Sequence, residues 1–503
     1  MQPVPASVPL PAAQLRWLLP ALAAVALLRL WRLPEASLAD FDSVRNWQIV
    51  QQVAHLDFGQ IFRHGSPAFY LLYAPVAWFS TDYRVFLVLN ALVAVAALGL
   101  LTDWIARAAR LPGPEIALLV MLTGSSVFLT ASGRDFIMSS WSLLALTGLL
   151  RAHWQRLHHP SRATLLRTAA WLAFGLSINY KFLLTLPILA VLEVQQHDGL
   201  LTRSGNWWRV LLVLAAPFVV LSVVAWAVSG VPVYRWPAVY VSILFPGANA
   251  AGRGGIAQAT RDLDLSYYFR FLAAFETPLL LPALAAGLVW FGGGVRQRPL
   301  PIATYLLVWA VCILAGMSLL YKAPRGLLFG FVPMYGLVVL VLRQWLARPI
   351  TVVALLAAIG YNVWQLQREV YAYLPTRYPQ VAAWLHQHGI QRVATTVGIG
   401  LVPAAQRYGI AVTPATTGAQ LRALRRQGYH YLLLDDYHRV TNVRAFDSLR
   451  AVPPVAAWPE PPLTAPLLYL EHSEFTGLGY RATLARQQQA AHDSVQLRLI
   501  PLR

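Results

Sequence analysis

The feature that most constrains the fold of this chain is a series of long apolar segments. Eleven of them, separated by more polar connections, lie at residues 15–30, 83–104, 116–130, 136–150, 169–178, 182–194, 210–228, 267–291, 302–320, 326–342 and 350–366. A helix that crosses a lipid bilayer needs about 20 apolar residues, or somewhat fewer inside a bundle. Because 57% of the 503 residues are hydrophobic and only 12% are charged, the sequence predicts an α-helical polytopic membrane protein with about eleven transmembrane helices.

The arginines predict how this bundle is oriented. A formal charge of +19 would also suit a nucleic-acid-binding protein, but a polytopic protein collects basic residues in cytoplasmic loops and at anionic headgroups, so membrane lipids and not nucleic acid are the predicted partners. If residues 67–79 do not cross, basic pairs such as Arg107 and Arg110 all fall on one side, which the positive-inside rule identifies as the cytoplasm. The sequence therefore predicts a multi-pass protein of the cytoplasmic (inner) membrane. Its exterior or periplasmic side receives residues 31–82, the Arg134-Asp135 turn, residues 229–266 and the C-terminal region.

The first external loop is predicted to contain interfacial helices. Residues 67–79 are too short for an easy crossing, so we expect a helix that lies in the outer interface. A second helix is predicted over residues 43–56 from apolar residues at helical spacing, and that apolar stripe suits the bilayer surface. The stripe consists of Val44, Trp47, Val50 and Ala54.

The sequence changes character after residue 366, which divides the chain into a membrane part, residues 1–366, and an extramembrane part, residues 367–503. In the second part, strands are predicted at residues 393–397, 429–434 and 467–470, and helices at residues 378–388 and 418–426. This part is therefore predicted to be a small α/β domain. Its Gly398-Ile399-Gly400 sequence is a weak match to a phosphate loop, and Asp435-Asp436 is expected to form a solvated turn.

Polar residues collect on the predicted external face in three clusters. These are Asp40, Asp42 and Arg45 with Arg63-His64 in the first loop, Arg134-Asp135 between the third and fourth spans, and Tyr321-Lys322-Ala323-Pro324-Arg325 late in the bundle. Asp42, at the membrane surface and at the start of an amphipathic helix, is a candidate catalytic base. Asp42 and Asp135 could instead be N-caps of helices that begin at Ser43 and Phe136, and Asp135 could simply neutralise Arg134.

Lysine is rare in this chain and marks two positions. Of 40 basic residues, only Lys181 and Lys322 are lysines. Lys181 lies between two short apolar segments, where an ammonium is costly unless an anion or carbonyl groups meet it, and Lys322 lies near Arg325 at an external helix junction. Both suit the binding of a phosphate, which a compact ammonium recognises as a point charge. The alternative is that both side chains only extend to the lipid headgroups.

Taken in order along residues 15–345, these motifs resemble the GT-C superfamily of polyprenyl-phosphate-dependent glycosyltransferases. The likeness is greatest to the protein O-mannosyltransferases and to the transferase that adds aminoarabinose to lipid A. Asp42-Ser43-Val44-Arg45-Asn46 is similar to the superfamily's Asp-Glu-x-x-Tyr, with Ser43 and Asn46 in place of the Glu and the aromatic residue. The other similar segments are Gly65-Ser66-Pro67-Ala68-Phe69-Tyr70, Arg134-Asp135-Phe136, Asn179-Tyr180-Lys181-Phe182 and Ala323-Pro324-Arg325-Gly326.

The resemblance implies an enzyme that transfers a sugar from a polyprenyl-phosphate donor to an acceptor hydroxyl on the extracytoplasmic face, with inversion at the anomeric carbon. Asp42 would be the general base, and Asp135 would orient the acceptor or hold an arginine. The cations that would bind substrate and meet the leaving phosphate are Lys181, Lys322 and Arg325, followed by Arg45, Arg63 and Arg134. The acceptor could be a glycan, a lipid or a protein. No cofactor is predicted, and a divalent metal is an alternative only if Asp40 supplies the carboxylate that Ser43 lacks.

Two other classes of function are alternatives. A transporter or flippase for a lipid-linked glycan would need polar residues through the bilayer midplane and repeated broken helices, whereas here the polar residues collect on one face and no repeat is evident. A non-catalytic scaffold for envelope assembly would leave Asp42, Asp135 and both lysines individually dispensable.

Overall fold

The structure of the chain, a computed structural model, describes residues 12–38, 40–196, 199–244, 264–297, 299–319, 322–374, 377–396, 399–440, 446–476 and 478–502. Its first part is a helical bundle. The helices are α1 (Ala12–Leu30), α2 (Phe41–Ala54), α3 (Pro67–Ala77), α4 (Tyr83–Ala108), α5 (Gly113–Gly124), α6 (Val127–Arg134), α7 (Ser139–His158), α8 (Arg162–Ile178), α9 (Thr185–Gln196), α10 (Asn206–Ser229), α11 (Arg235–Leu244), α12 (Tyr267–Phe275), α13 (Leu280–Phe291), α14 (Ile302–Ser318), α15 (Leu328–Trp345) and α16 (Arg348–Leu366).

The predicted class, an α-helical multi-pass membrane protein, is confirmed. Each predicted apolar segment coincides with a helix or a pair of helices. Within the described residues, five helical segments are long and apolar enough to cross a membrane, and the bent pair of α5 and α6 would make six. The predicted number of eleven crossings is therefore not confirmed. Those five segments are Gln14–Glu35, Tyr83–Ala108, Asn206–Ser229, Pro324–Trp345 and Arg348–Tyr371.

Two of the predicted spans are broken, and the breaks lie against each other. Helices α5 and α6 form an angle of 63°, and α12 ends at Phe275 before the chain turns into α13. Glu276, in the second break, accepts hydrogen bonds from the backbone N–H groups of Val127 (3.3 Å) and Phe128 (3.0 Å). These N–H groups lie in the first turn of α6 and have no acceptor within the helix. The buried carboxylate of Glu276 supplies that acceptor.

The predicted helix over residues 43–56 is present as α2, but its apolar stripe is not in the predicted environment. Its apolar stripe does not face a bilayer, because Val44, Trp47 and Val50 are buried inside the protein. The helix packs against α3, the other predicted interfacial helix. The prediction failed because an amphipathic stripe indicates that one face is buried and cannot distinguish a lipid surface from a protein neighbour.

The C-terminal part contains a five-stranded mixed sheet. Its elements are α17 (Tyr378–Gln387), β1 (Arg392–Thr395), α18 (Val402–Ala405), β2 (Ala411–Pro414), α19 (Gly418–Arg426), β3 (Tyr431–Asp435), β4 (Ala456–Glu460), α20 (Pro466–Glu471), α21 (Ser473–Thr476), α22 (Tyr480–Ala490) and β5 (Val495–Pro501). The strand order is β2-β1-β3-β5-β4. Strand β1 is parallel to β2 and β3, whereas β5 is antiparallel to β3 and β4.

Two predictions about this domain are wrong. Residues 467–470 were expected to be a strand but belong to helix α20, where Pro466 occupies the first turn and Leu467 and Leu470 are buried one turn apart. The Asp435-Asp436 pair is buried, not solvated. Helices α17 and α19 are confirmed, and Gly398 of the suggested phosphate loop lies outside the described residues.

Candidate functional site

Two aspartates at the start of α2 have different roles. Helix α2 begins at Phe41, and its N-cap is Asp40, whose Oδ2 accepts hydrogen bonds from the N–H groups of Asp42 (2.9 Å) and Ser43 (3.2 Å). The alternative that Asp42 is itself the cap is therefore wrong. Because Asp40 meets the orphan backbone donors, the carboxylate of Asp42 is available to other partners.

Two cationic or titratable side chains face Asp42, one from the same loop and one from late in the bundle. His64 Nε2 lies 3.5 Å from its Oδ1, and Arg325 Nη1 lies 3.7 Å from its Oδ2. Burial and then the negative charge of Asp40 raise the pKa of Asp42, while His64 and Arg325 oppose that rise. Burial lowers the pKa of His64 although Asp42 acts in the opposite direction. The carboxylate thus keeps a higher affinity for a proton than an exposed aspartate, which suits a general base.

Of the cations predicted to meet a phosphate, Arg325 contacts this aspartate and Lys181 contacts Arg325. Lys181 follows the end of α8 and donates from Nζ to the carbonyl oxygen of Arg325 at 3.1 Å. Lys322 donates from Nζ to the carbonyl oxygen of Ser318, and the same Nζ lies 5.9 Å from the ring centre of Tyr268. Lys181 and Arg325, 144 residues apart, are therefore adjacent in the fold.

Arg45 of α2 and Arg63 of the following loop form a second basic region. Their guanidinium carbons lie 5.7 and 5.8 Å from the ring centre of Phe41. Burial and then the positive charge of Arg63 lower the pKa of Arg45. Among the described residues, no carboxylate forms an ion pair with either guanidinium. The residues that line the resulting cavity of about 270 Å³ are Arg45, Gln48, Ile49, Gln52, Gln60 and Arg63.

Arg134 is engaged in the structure of the bundle. It is buried, and its Nη1 donates to the carbonyl oxygens of Arg29 (2.7 Å) and Trp31 (2.8 Å) at the end of α1. Its guanidinium also lies 5.0 Å from the ring centre of Tyr371. These contacts satisfy carbonyl groups that a helix end leaves without intrahelical donors.

Asp135 is not the N-cap that the sequence suggested. It follows α6 in an extended conformation, and the next helix begins at Ser139 with Met138 as its cap. Burial, followed by the negative charges of Asp40 and Glu471, raises the pKa of Asp135. The side chain is nevertheless exposed to a cavity, because it lines a space of about 170 Å³ beside Asp40 and Arg325.

The C-terminal domain completes the wall of this second cavity with residues that the sequence did not single out. They are Tyr437, Leu467, Leu468, Glu471 and His472. Arg325 donates from Nη2 to the carbonyl oxygen of Glu471 at 3.3 Å. His472 Nε2 lies 3.4 Å from Asp40 Oδ1 and 3.1 Å from the hydroxyl oxygen of Tyr437. In the sequence, their signal is a Glu471-His472 pair directly after the apolar run at residues 467–470.

A metal ion in a protein is held by several His, Cys, Asp or Glu side chains grouped around one point. Over the part of the chain that the structure describes, no group of three or more His, Cys, Asp and Glu side chains is arranged to hold a metal ion. The carboxylates of Asp40 and Asp42 are instead directed to His472 and to His64 with Arg325.

The fold is similar to that of solved membrane proteins. No protein family model and no curated protein sequence matches the chain. The structure of ArnT from Cupriavidus metallidurans in the apo state aligns with a TM-score of 0.51 and 15% identity over 88% of this chain and 97% of that chain. The same protein bound to undecaprenyl phosphate aligns with a TM-score of 0.52 and 14% identity over 88% and 96%. The mycobacterial arabinofuranosyltransferase AftD aligns over 84% of this chain and 36% of that chain, with 15% identity and a TM-score of 0.44.

The two alignments with ArnT show that the chain shares the fold of a multi-pass membrane protein. The predicted resemblance to the GT-C superfamily is confirmed at the level of the fold. Within that class, the arrangement shared over most of both chains is that of ArnT.

Proposed function

We propose that this protein is a glycosyltransferase that moves a sugar from a polyprenyl-phosphate donor to an acceptor hydroxyl at the outer face of the cytoplasmic membrane. The fold supports this proposal, since ArnT has the same arrangement and has been solved with undecaprenyl phosphate. The observation that carries it is the meeting of a carboxylate and cations from three distant parts of the chain. Asp42 lies 3.7 Å from Arg325, whose carbonyl group accepts a hydrogen bond from Lys181.

In the proposed reaction the acceptor oxygen attacks the anomeric carbon of the donor sugar. Its hydroxyl proton passes to the carboxylate of Asp42 as the new C–O bond forms. The bond between the anomeric carbon and the phosphate oxygen breaks, and the electron pair leaves with the polyprenyl phosphate. Attack from the face opposite the leaving group inverts the anomeric configuration.

The negative charge that builds on the departing phosphate needs fixed cations near the reacting bond. Arg325 supplies one guanidinium at the site, and Lys181 supports the same turn through its bond to the Arg325 carbonyl group. Lys322 lies close by in sequence on the same connection between α14 and α15. We assign these three side chains to the donor phosphate.

We assign the cavity lined by Arg45 and Arg63 to a part of the substrates other than the donor phosphate. Asp42, Arg45, Ile49 and Gln52 follow one another along one face of the helix, at spacings of three or four residues. Guanidinium and amide groups suit hydroxyl-rich or anionic groups. We propose that Arg45 and Arg63 bind substrate there, so that a molecule lying in the cavity would extend towards Asp42.

The first test is transfer by purified protein in lipid, with a panel of radiolabelled polyprenyl-phosphate sugars as donors. We expect Asp42→Asn to reduce the transfer rate by about 10²- to 10⁴-fold, because the amide keeps the size of the side chain but accepts no proton. The matched control is Asp57→Asn in the same loop, whose exposed carboxylate only accepts a hydrogen bond from the N–H group of Gly59. This control should retain wild-type transfer.

Each outcome of this test has a definite meaning. Wild-type transfer that persists unchanged in Asp42→Asn would exclude Asp42 as the base. Failure of the wild type to bind any donor would reject the glycosyltransferase proposal in favour of a transporter or a scaffold.

A further inference from the structure

A histidine of the C-terminal domain contacts the aspartate that caps α2. His472 ends helix α20, and its Nε2 lies 3.4 Å from Asp40 Oδ1. The other oxygen of the same carboxylate, Oδ2, caps α2 and thereby holds the backbone of Asp42. One aspartate thus connects the histidine of the C-terminal domain with the proposed catalytic base.

We infer that His472 is a positioning residue for the transfer reaction, because its imidazolium holds Asp40 and offsets the negative charge that Asp40 exerts on Asp42. This inference rests on the proposed function, in which Asp42 accepts the proton of the acceptor. It makes the C-terminal domain a functional part of the active site and gives it a role that neither the fold nor the sequence motifs assign.

The hydrogen bonds of the ring indicate which nitrogen carries the decisive proton. His472 Nδ1 lies 2.8 Å from the carbonyl oxygen of Leu468. Because a carbonyl oxygen can only accept, Nδ1 carries a hydrogen in every protonation state that keeps this bond. The state of Nε2 then decides the contact with Asp40. A neutral ring presents a lone pair, which can accept from the hydroxyl of Tyr437 at 3.1 Å but repels the carboxylate, whereas an imidazolium donates a hydrogen to the carboxylate.

The electrostatic environment agrees with an imidazolium. Burial lowers the pKa of His472, but the hydrogen bond and charge of Asp40 outweigh it and raise the pKa above its ordinary value. Burial raises the pKa of Asp40, but the hydrogen bond and charge of His472, together with the charge of Arg325 and the hydrogen bond from the Ser43 N–H group, hold the pKa below its ordinary value. The two groups therefore stabilise each other in their charged forms.

The protonation of Asp42 depends on whether the negative charge of Asp40 is paired with the imidazolium of His472. Unpaired, the negative charge of Asp40 favours the protonated form of Asp42, and a cation beside Asp40 offsets that effect. The other charged or titratable groups that face the pair or Asp42 are His64, Arg63, Arg325, Asp135, Glu471 and Tyr437. None of these groups is changed by substitution of His472 or Asp40.

The substitutions His472→Gln and Asp40→Asn should shift the pH dependence of transfer in opposite directions. His472→Gln leaves the charge of Asp40 uncompensated, so the pKa of Asp42 should rise and the acid limb of kcat/KM should move to higher pH by about half a unit or more. Asp40→Asn removes that charge while keeping a capping oxygen, so the acid limb should move to lower pH by a similar amount. In the double variant, replacing His472 should cause little further shift, since the charge that it offsets is absent.

The chain offers a closely matched control in His438. Like His472, it is buried, has Nδ1 beside a carbonyl oxygen (Asp435, 2.6 Å) and has Nε2 3.4 Å from a carboxylate (Asp447). None of these groups lines either of the two cavities described above. His438→Gln should therefore leave the acid limb unchanged even if it reduces the amount of folded protein.

A stability measurement tests the pair without any need for activity. The pKa of His472 is raised above its ordinary 6.5, so its contribution is complete below pH 6.5 and is lost as the pH rises through its pKa in the folded state. The pKa of Asp40 is lowered below its ordinary 3.8, so its contribution is present above pH 3.8 and is lost as the pH falls through its folded pKa. The melting temperature of the wild type should exceed that of His472→Gln most between about pH 4 and 6.5.

These readouts separate failure of the inference from failure of the proposed function. An acid limb that is the same in wild type and His472→Gln, or that moves in the same direction as in Asp40→Asn, would overturn the inference. A melting difference that does not depend on pH would also overturn it, because the pair would then not be ionic. Absence of transfer by the wild type itself would reject the glycosyltransferase, while the melting curves would still report on the pair.

Discussion

At the scale of single residues, the structure separates two aspartates that look equivalent in the sequence. Asp40 and Asp42 lie two positions apart before and within α2, and either could cap it. Only Asp40 has its carboxylate turned to the backbone N–H groups of the first turn. Asp42 is then left to face His64 and Arg325, and this division of tasks makes a catalytic role for Asp42 compatible with a stable helix.

This division can be tested by stability alone. We expect Asp40→Ala to lower the free energy of unfolding by about 1 kcal/mol or more, because the N–H groups of Asp42 and Ser43 lose their acceptor. Asp40→Asn should lose less, since its amide oxygen can still accept. The measurement is thermal unfolding in detergent, with Asp42→Asn as the comparison. If Asp42→Asn proved as damaging as Asp40→Ala, the assignment of the cap would be wrong.

At the scale of elements, the site depends on two broken helices. Helix α6 carries Arg134 at its end and Asp135 directly after it, and its first turn is capped by Glu276 from the break between α12 and α13. Glu276 also accepts a hydrogen bond from Ser126 Oγ at 3.1 Å. A continuous helix would have had no place for this carboxylate, so the break positions the polar end of α6 at the cavity.

We expect Glu276→Ala to lower the free energy of unfolding by roughly 2 kcal/mol or more, because several buried donors lose their acceptor together. Glu276→Gln should lower the free energy of unfolding by less, since one side-chain oxygen remains as an acceptor. It should still be destabilising, because its NH₂ group faces other donors. Glu35→Gln serves as the control because Glu35 is exposed and only pairs with Arg32. Equal melting temperatures for Glu276→Ala and the wild type would show that the carboxylate does not support α6.

At the scale of the whole molecule, the C-terminal domain is joined to the bundle by contacts that surround the site. Arg325 Nη2 donates to the carbonyl oxygen of Glu471 at 3.3 Å, and Ser473 Oγ donates to the carbonyl oxygen of Lys322 at 3.0 Å. The second of these bonds holds the connection that also carries Arg325. The domain is therefore placed to influence catalysis through its packing as well as through His472.

A close approach of the two parts at Gly400 gives a prediction at this scale. A Cβ atom added to Gly400 would lie 2.8 Å from the carbonyl oxygen of Leu38, two residues before Asp40, and equally close to the ring of Tyr378. Gly400→Ala should therefore cost about 1 to 3 kcal/mol and slow transfer by displacing the start of α2. Gly360→Ala is the control, because no atom lies within 4 Å of its added Cβ. Wild-type melting and transfer in Gly400→Ala would show that this contact does not hold the loop.

The sequence by itself determined the features that depend on local pattern. Runs of apolar residues predicted the helices of the bundle, because a membrane-spanning helix satisfies its backbone groups within one segment. Residues 378–388 and 418–426 were recognised as helices from their own composition. The strand expected at residues 467–470 failed because a short apolar run suits a buried strand and a buried helix equally.

Only the tertiary structure decided which polar residues meet. Asp42, Lys181 and Arg325 were all candidates, but no local pattern relates positions separated by more than a hundred residues. The capping by Asp40 and the contribution of His472 depend on how the C-terminal domain packs against the first loop. Such contacts arise from the burial of distant surfaces against one another, and so the site appears only when the chain is folded.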